Sequence, residues 1–140
     1  MADIRKLTDD VSVAPQLTPE DVAGISANFK SILCNRPDHE GGADQPLYAD
    51  IERLAEAAGM TVEYQPVSSK EISDNDVDDF EDHIDSMPKP VLAYCRSGTR
   101  CTVLWALSQA GKQSADEILK TTTSAGYSLD LLRPRILDRE

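Results

Sequence analysis

A short apolar run that ends on a cysteine and gives way to a helix constrains this chain more than any other stretch. Val91 to Tyr94 follow Pro88 and Pro90 and read as a buried strand that stops at Cys95. Ser97, Gly98 and Thr99 are small and turn-competent, and Cys101 to Ala110 are apolar or slender enough for a buried helix ending near Gly111. Cys95 therefore falls at a strand-to-helix turn, where backbone N–H groups and the positive end of the helix dipole converge. A thiol so placed is stabilised as the thiolate, its nucleophilic form. Arg96 and Arg100 add planar forks of donors that suit two oxygens of a phosphate or sulfate. Gly98 lets the backbone approach such an anion with no Cβ in the way. The plainer alternative makes Cys95 a small core residue and both arginines solvated.

With 140 residues the chain is expected to form one domain, 1–140, large enough for a single hydrophobic core. A net charge of −11 with no Lys/Arg cluster argues against a nucleic-acid partner and leaves the Cys95 loop as a local positive exception, where an anionic ligand would go. No apolar run has the length of a membrane span, and Met1-Ala2-Asp3-Ile4-Arg5 lacks the apolar core of a signal peptide. Three cysteines, an odd number, suit a reducing cytoplasm better than a disulfide-stapled secreted domain, so the expected location is cytoplasmic.

In chain order, Ile4 to Thr8 and Val11 to Ala14 alternate around Asp9-Asp10 as a hairpin does. Thr18-Pro19-Glu20-Asp21 opens a helix with Val22, Ile25 and Phe29 as its apolar stripe. Ser31 to Asn35 read as a strand, followed by the polar loop Arg36 to Gly42. That loop leaves a strand end, where open α/β sheets place ligand groups. Asp38, His39 and Glu40 would there supply acid–base groups or hold Arg100, unless they form an ordinary polar turn. Leu47 to Ala58 form an amphipathic helix stopped by Gly59, Thr61 to Val67 a strand, and Ser73 caps a helix running to about Ser86. The acids from Asp74 to Asp85 read as a solvated face. Ser114 and Glu117 have capping-box spacing for a helix ending at Gly126, and Ser128 caps a last short helix interrupted by Pro134. The order β-β-α-β-α-β-α-β-loop-α-α-α gives a three-layer α/β sandwich, its central sheet mainly parallel with helices on both faces.

I-L-C-N-R-P-D-H-E, P-V-L-A-Y-C-R-S-G-T-R and L-W-A-L together resemble the bacterial beta-lactamase hydrolase-like phosphatase domains, relatives of the dual-specificity and tyrosine phosphatases. The likeness runs from Asp3 to about Gly111. It implies a protein-tyrosine-phosphatase-like fold and hydrolysis of a phosphomonoester, such as a phosphotyrosine or phosphoprotein, through a phosphocysteine intermediate. Cys95 would be the nucleophile. The N–H groups of Arg96, Ser97, Gly98, Thr99 and Arg100 would bind the equatorial oxygens, with the Arg100 side chain clamping the transition state. No metal or cofactor is required, because the protein supplies the positive charge; the ligands expected are a phosphorylated substrate or inorganic phosphate or sulfate.

Two departures stand out. Four residues separate Cys95 from Arg100 where the superfamily has five, a spacing similar to the rhodanese sulfurtransferases, whose cysteine carries a persulfide. The loop after Thr61 to Val67 holds Ser68, Ser69 and Lys70 in place of the usual general-acid Asp, leaving Glu71, Asp74 or Asp38 as substitutes. The alternatives to hydrolysis are therefore sulfur transfer through a Cys95 persulfide, or a module that binds a phosphorylated ligand without turnover. Cys34 and Cys101 raise a redox role, in which Cys34, ending a strand expected beside that of Cys95, would reach oxidised Cys95 and trap it as a disulfide.

Overall fold

Five short strands organise the chain, and the computed structural model describes residues 2–140 of it. Met1, with which the signal-peptide expectation begins, lies outside the described residues. Strand β1 (Arg5–Lys6) turns back on β2 (Val11–Ala14) in the expected antiparallel hairpin. Strands β3 (Ser31–Cys34), β4 (Thr61–Tyr64) and β5 (Val91–Tyr94) run parallel to β2, giving the sheet order β1-β2-β5-β3-β4. Central β5 pairs with both β2 and β3, so Ala14, Tyr94 and Cys34 end three neighbouring strands in register.

Period-2 alternation sends the side chains of these strands into two cores. Val13, Leu33, Val91 and Ala93 enter one cluster with Phe80, Leu104, Leu107, Ile118 and Ile136. That face is covered by helices α3 (Asp74–Ser86), α4 (Thr99–Ser108), α5 (Ala115–Ser124) and α6 (Arg133–Arg139). Ile32, Cys34, Leu92 and Tyr94 enter the other, under α1 (Val22–Ile25) and α2 (Tyr48–Ala57). Helix α4 is buried nearly all round, which explains why its sequence shows no polar stripe. The result is the expected three-layer α/β sandwich, its central sheet mainly parallel with helices on both faces. Among the described residues no helix is long and apolar enough to cross a membrane.

Several boundaries follow from caps. Ser73 Oγ accepts from Asp76 N at 3.1 Å while Asp76 returns a carboxylate oxygen to Ser73 N at 2.9 Å, a complete capping box. Ser114 caps α5, accepting from Glu117 N at 3.1 Å.

Other expectations are corrected. The helix opened by Thr18 is a 3₁₀ turn (Pro19–Asp21) followed by the four residues of α1, because Gly24 and the run Ser26-Ala27-Asn28 give little reason to propagate it. Strand β4 stops at Tyr64 rather than Val67, and Gln65 N and Val67 N bond the Cys34 and Asn35 carbonyls past its end, out of the regular ladder register. Ser128 caps nothing: Leu129 precedes a 3₁₀ turn (Asp130–Leu132). Pro134 lies in the first turn of α6, where a missing N–H is harmless, rather than interrupting a helix.

Candidate active site

The ends of β5 and β3 bring the two sequence motifs together. Cys95 leaves β5 beside Asn35, whose N–H donates to Tyr94 O at 2.9 Å, and the following residues Arg96 and Arg36 both reach one cleft of about 690 Å³. Cys95, Ser97, Thr99 and Arg100 line it as well, with Glu40 and Gly41 from the loop after β3 and an apolar wall of Ile72 and Val103.

The Cys95 sulfur accepts from Gly98 N at 3.1 Å, so the turn wraps around it. Gly98 has φ +89°, the left-handed backbone that favours glycine, and a Cβ there would meet the Tyr127 hydroxyl and ring. Tyr127 braces the turn from outside, donating its hydroxyl proton to Ser97 O at 3.1 Å. Thr102 Oγ1 bonds Gly98 O at 2.7 Å from the next turn of α4, and Thr99 N lies 3.4 Å from Ser97 Oγ. Cys95 is 1% exposed, yet its pKa is lowered to about 6. A hydrogen bond from the Cys101 thiol is the largest cause. Burial opposes it, and the amides of Cys101, Ser97 and Gly98 add to it.

Cys101 is wholly buried, and burial pushes its own pKa well up, so it remains a thiol and a donor. Its sulfur also lies 3.2 Å from Asn35 Oδ1. One S–H proton cannot serve both acceptors, and an ionised Cys95 is the stronger of the two. Cys34 packs on the opposite face, in the α2 core, where its thiol contacts Arg36 O at 3.4 Å and burial raises its pKa to about 11. All three cysteines are free.

Arg100 is 7% exposed and largely held by the protein. Nη1 donates to Val67 O at 2.9 Å and Asn35 O at 3.3 Å, and Nη2 to Glu40 Oε1 at 3.0 Å. Its Nε is buried with no partner among the described residues, an unmet donor on a side chain that borders the cleft. Glu40 Oε1 also accepts from Arg36 Nε at 3.1 Å. Burial alone would raise the Glu40 pKa, but the Arg100 and Arg36 guanidiniums outweigh it and hold the carboxyl below its ordinary range.

The remaining sequence candidates divide cleanly. Arg96, Ser97, Thr99 and Arg100 line the cleft with Cys95, and Gly98 supplies the amide behind the sulfur. Asp38 is not brought there: its carboxylate accepts from Tyr48 N at 2.8 Å, capping α2. Glu71 is also absent from the lining, and Asp74 is paired with Arg139 at 3.0 Å. Glu40 does hold Arg100, one of the two roles considered for that loop. Arg36 and Tyr127 were missed; Arg36 stood in the R-P-D-x-E motif beside the charged residues singled out, whereas nothing in the sequence marks Tyr127.

A cysteine cradled at the carboxyl edge of this sheet, in a cleft with arginines, goes with matches to solved phosphatase structures. A candidate phosphatase from Neisseria meningitidis superposes with a TM-score of 0.87 at 39% identity, covering 98% of each chain. Tk-PTP in its active form gives 0.70 at 14% identity, covering 96% of this chain and 93% of its own, a likeness of fold. The class so defined is that of the phosphatases, phosphoric monoester hydrolases. Residues 3–112 match the family model for the phosphatase-like domain of beta-lactamase hydrolase-like proteins, and the chain belongs to that family. A beta-lactamase hydrolase-like protein of Agrobacterium fabrum is 34% identical over 127 residues, 89% of this chain. The chain spans only 29% of that relative's length.

Proposed function

We propose that the chain hydrolyses a phosphomonoester through a phosphocysteine intermediate. The observation that carries this reading is the Cys95 sulfur, held at a pKa of about 6 and wrapped by the amides of its own turn, in a cleft bordered by Arg100 with its unsatisfied Nε. The Cys95 thiolate attacks phosphorus, forming the S–P bond as the bond to the leaving oxygen breaks. Water then attacks phosphorus and returns the thiolate, releasing inorganic phosphate. The amides from Arg96 to Arg100 hold the equatorial oxygens, and Arg100 Nε joins them as charge builds.

Among the described residues Glu40 is the one carboxylate lining the cleft, and two guanidiniums keep it ionised. It is therefore unsuited to give a proton to the leaving oxygen, and Asp38 faces α2. Without a donor the first step favours substrates whose leaving group departs as an anion, and the lost proton transfer costs roughly 10²–10⁴ in rate for the others.

A second reading, sulfur transfer through a Cys95 persulfide, is favoured by one observation: four residues rather than five close the ring between Cys95 and Arg100. A side-by-side assay separates the two. Phosphate release from p-nitrophenyl phosphate or a phosphotyrosine peptide, abolished by Cys95→Ser, is the outcome expected. Thiocyanate formation from thiosulfate and cyanide without phosphate release would reverse the ranking. Ligand binding that survives Cys95→Ser, with no turnover by the unaltered protein, would leave a binding module.

A further inference from the structure

We infer that Arg36 and Arg96 form a second anion subsite beside the Cys95 turn, fitted to a small phosphomonoester that carries another carboxylate or phosphate a few atoms from the first. The word substrate rests on the hydrolytic reading above; the subsite itself does not.

The donors in the cleft outnumber what one phosphate can use. The amide of Gly98 already lies against the sulfur, and Arg100 borders the same cleft with its Nε unpartnered among the described residues. Arg36 stands outside that turn, its side chain 9% exposed. Its position is fixed at two nitrogens: Nε donates to Glu40 Oε1 at 3.1 Å and Nη1 to Gln16 Oε1 at 3.1 Å. Nη2 has no protein partner among the described residues, and Arg36 lines the cleft. Gly41 keeps that edge of the guanidinium open, because a Cβ there would come within 2.5 Å of Nη2. Gln16 ties the arrangement to the turn, since its N–H donates to Arg96 O at 3.2 Å while its side chain holds Arg36. Arg96 is exposed, lines the same cleft, and makes no side-chain hydrogen bond or ion pair among the described residues. A guanidinium that is pre-positioned but incompletely bonded is the donor geometry a carboxylate or phosphate takes up.

Spacing restricts the ligand. Arg36 Nε and Arg100 Nη2 share one acceptor oxygen at 3.1 and 3.0 Å, so they lie no further apart than those two contacts laid end to end. The two anionic groups must therefore be near neighbours in one molecule. The cleft, about 690 Å³, has room for both groups and a short carbon link against Ile72 and Val103.

Isothermal titration of the Cys95→Ser protein at low ionic strength tests this without turnover, using ethyl phosphate, 2-phosphoglycolate and ethane-1,2-diyl bisphosphate. Both ligands with two anionic groups are expected to bind at least tenfold more tightly than ethyl phosphate. Arg36→Gln or Arg96→Gln in the same protein is expected to cut that gain below threefold. Lys30→Gln, a charge removed at the opposite end of β3, leaves it intact. Because Arg36 is buried and its replacement can disturb folding, exposed Arg96 supplies the independent variant. Equal affinity for all three ligands, or a gain that survives both arginine changes, overturns the subsite. A tenfold preference in Cys95→Ser with no phosphate release from any ester by the unaltered protein instead overturns hydrolysis and keeps the subsite.

Discussion

The Cys101 sulfur lies 3.2 Å from the Asn35 side-chain oxygen, and its one proton, given instead to the Cys95 sulfur, is the largest cause that lowers the pKa of the proposed nucleophile. With Cys95 titrating at about 6, kcat/KM for p-nitrophenyl phosphate should fall about tenfold per unit as pH drops below 6, after allowing for substrate ionisation. Cys101→Ala removes the first of the causes that lower this value, so the inflection should move up by at least one pH unit, while Cys101→Ser retains a donor and holds it nearer the original. An unmoved inflection in Cys101→Ala would assign the thiolate to the backbone amides alone. Arg100 is equally specific: Arg100→Lys keeps the charge but cannot reach Val67 O, Asn35 O and Glu40 with one ammonium while also serving a phosphate. Its kcat should fall by on the order of 10²-fold or more in a steady-state assay.

At the level of elements, the turn between β5 and α4 is held by contacts from both sides. Gly98→Ala forces an L side chain into φ +89° and into the Tyr127 ring, so activity should be lost and stability lowered by about 1–3 kcal/mol in urea titrations. Tyr127→Phe removes the bond to Ser97 O and should cost about 1 kcal/mol, with kcat reduced more than KM changes. The turn itself was legible in the sequence, because apolar run, cysteine, glycine and helix are consecutive and their physics is local. The same holds for α2, α3 and the hairpin, each marked by alternation or by a cap such as Ser73. What escaped was set at a distance. Arg36 reaches the cleft only because β3 and β5 pair in register, whereas Glu40, which meets Arg100 by the same pairing, stood among the loop residues expected to hold it. Tyr127 reaches the turn from beyond α5. The overlong first helix and the misplaced Ser128 cap were errors of a different kind, in which a favourable opening residue was followed by sequence that does not sustain a helix.

Across the whole molecule, the site is linked to stability by protonation. The depressed Cys95 pKa means that the folded chain gives up a proton at about pH 6 that the unfolded chain keeps to about pH 9. Stability should therefore rise between those values, by up to about 1.4 kcal/mol per pH unit, and that gain is lost as pH falls back from 9 and through 6. Urea midpoints for the parent protein and Cys95→Ala across this range should diverge with that sign; parallel curves would contradict the assignment. Helix α4 joins this chemistry to the far pole, starting at the Cys95 turn and running ten residues, about 15 Å, away from it. The Glu140 backbone rests near Gly111, just past that helix, so residue 140 lies at the end of α4 away from the Cys95 turn. A chip or bead coupled through Glu140 would hold the molecule with its opening toward the bulk liquid, ready for flow-based measurements.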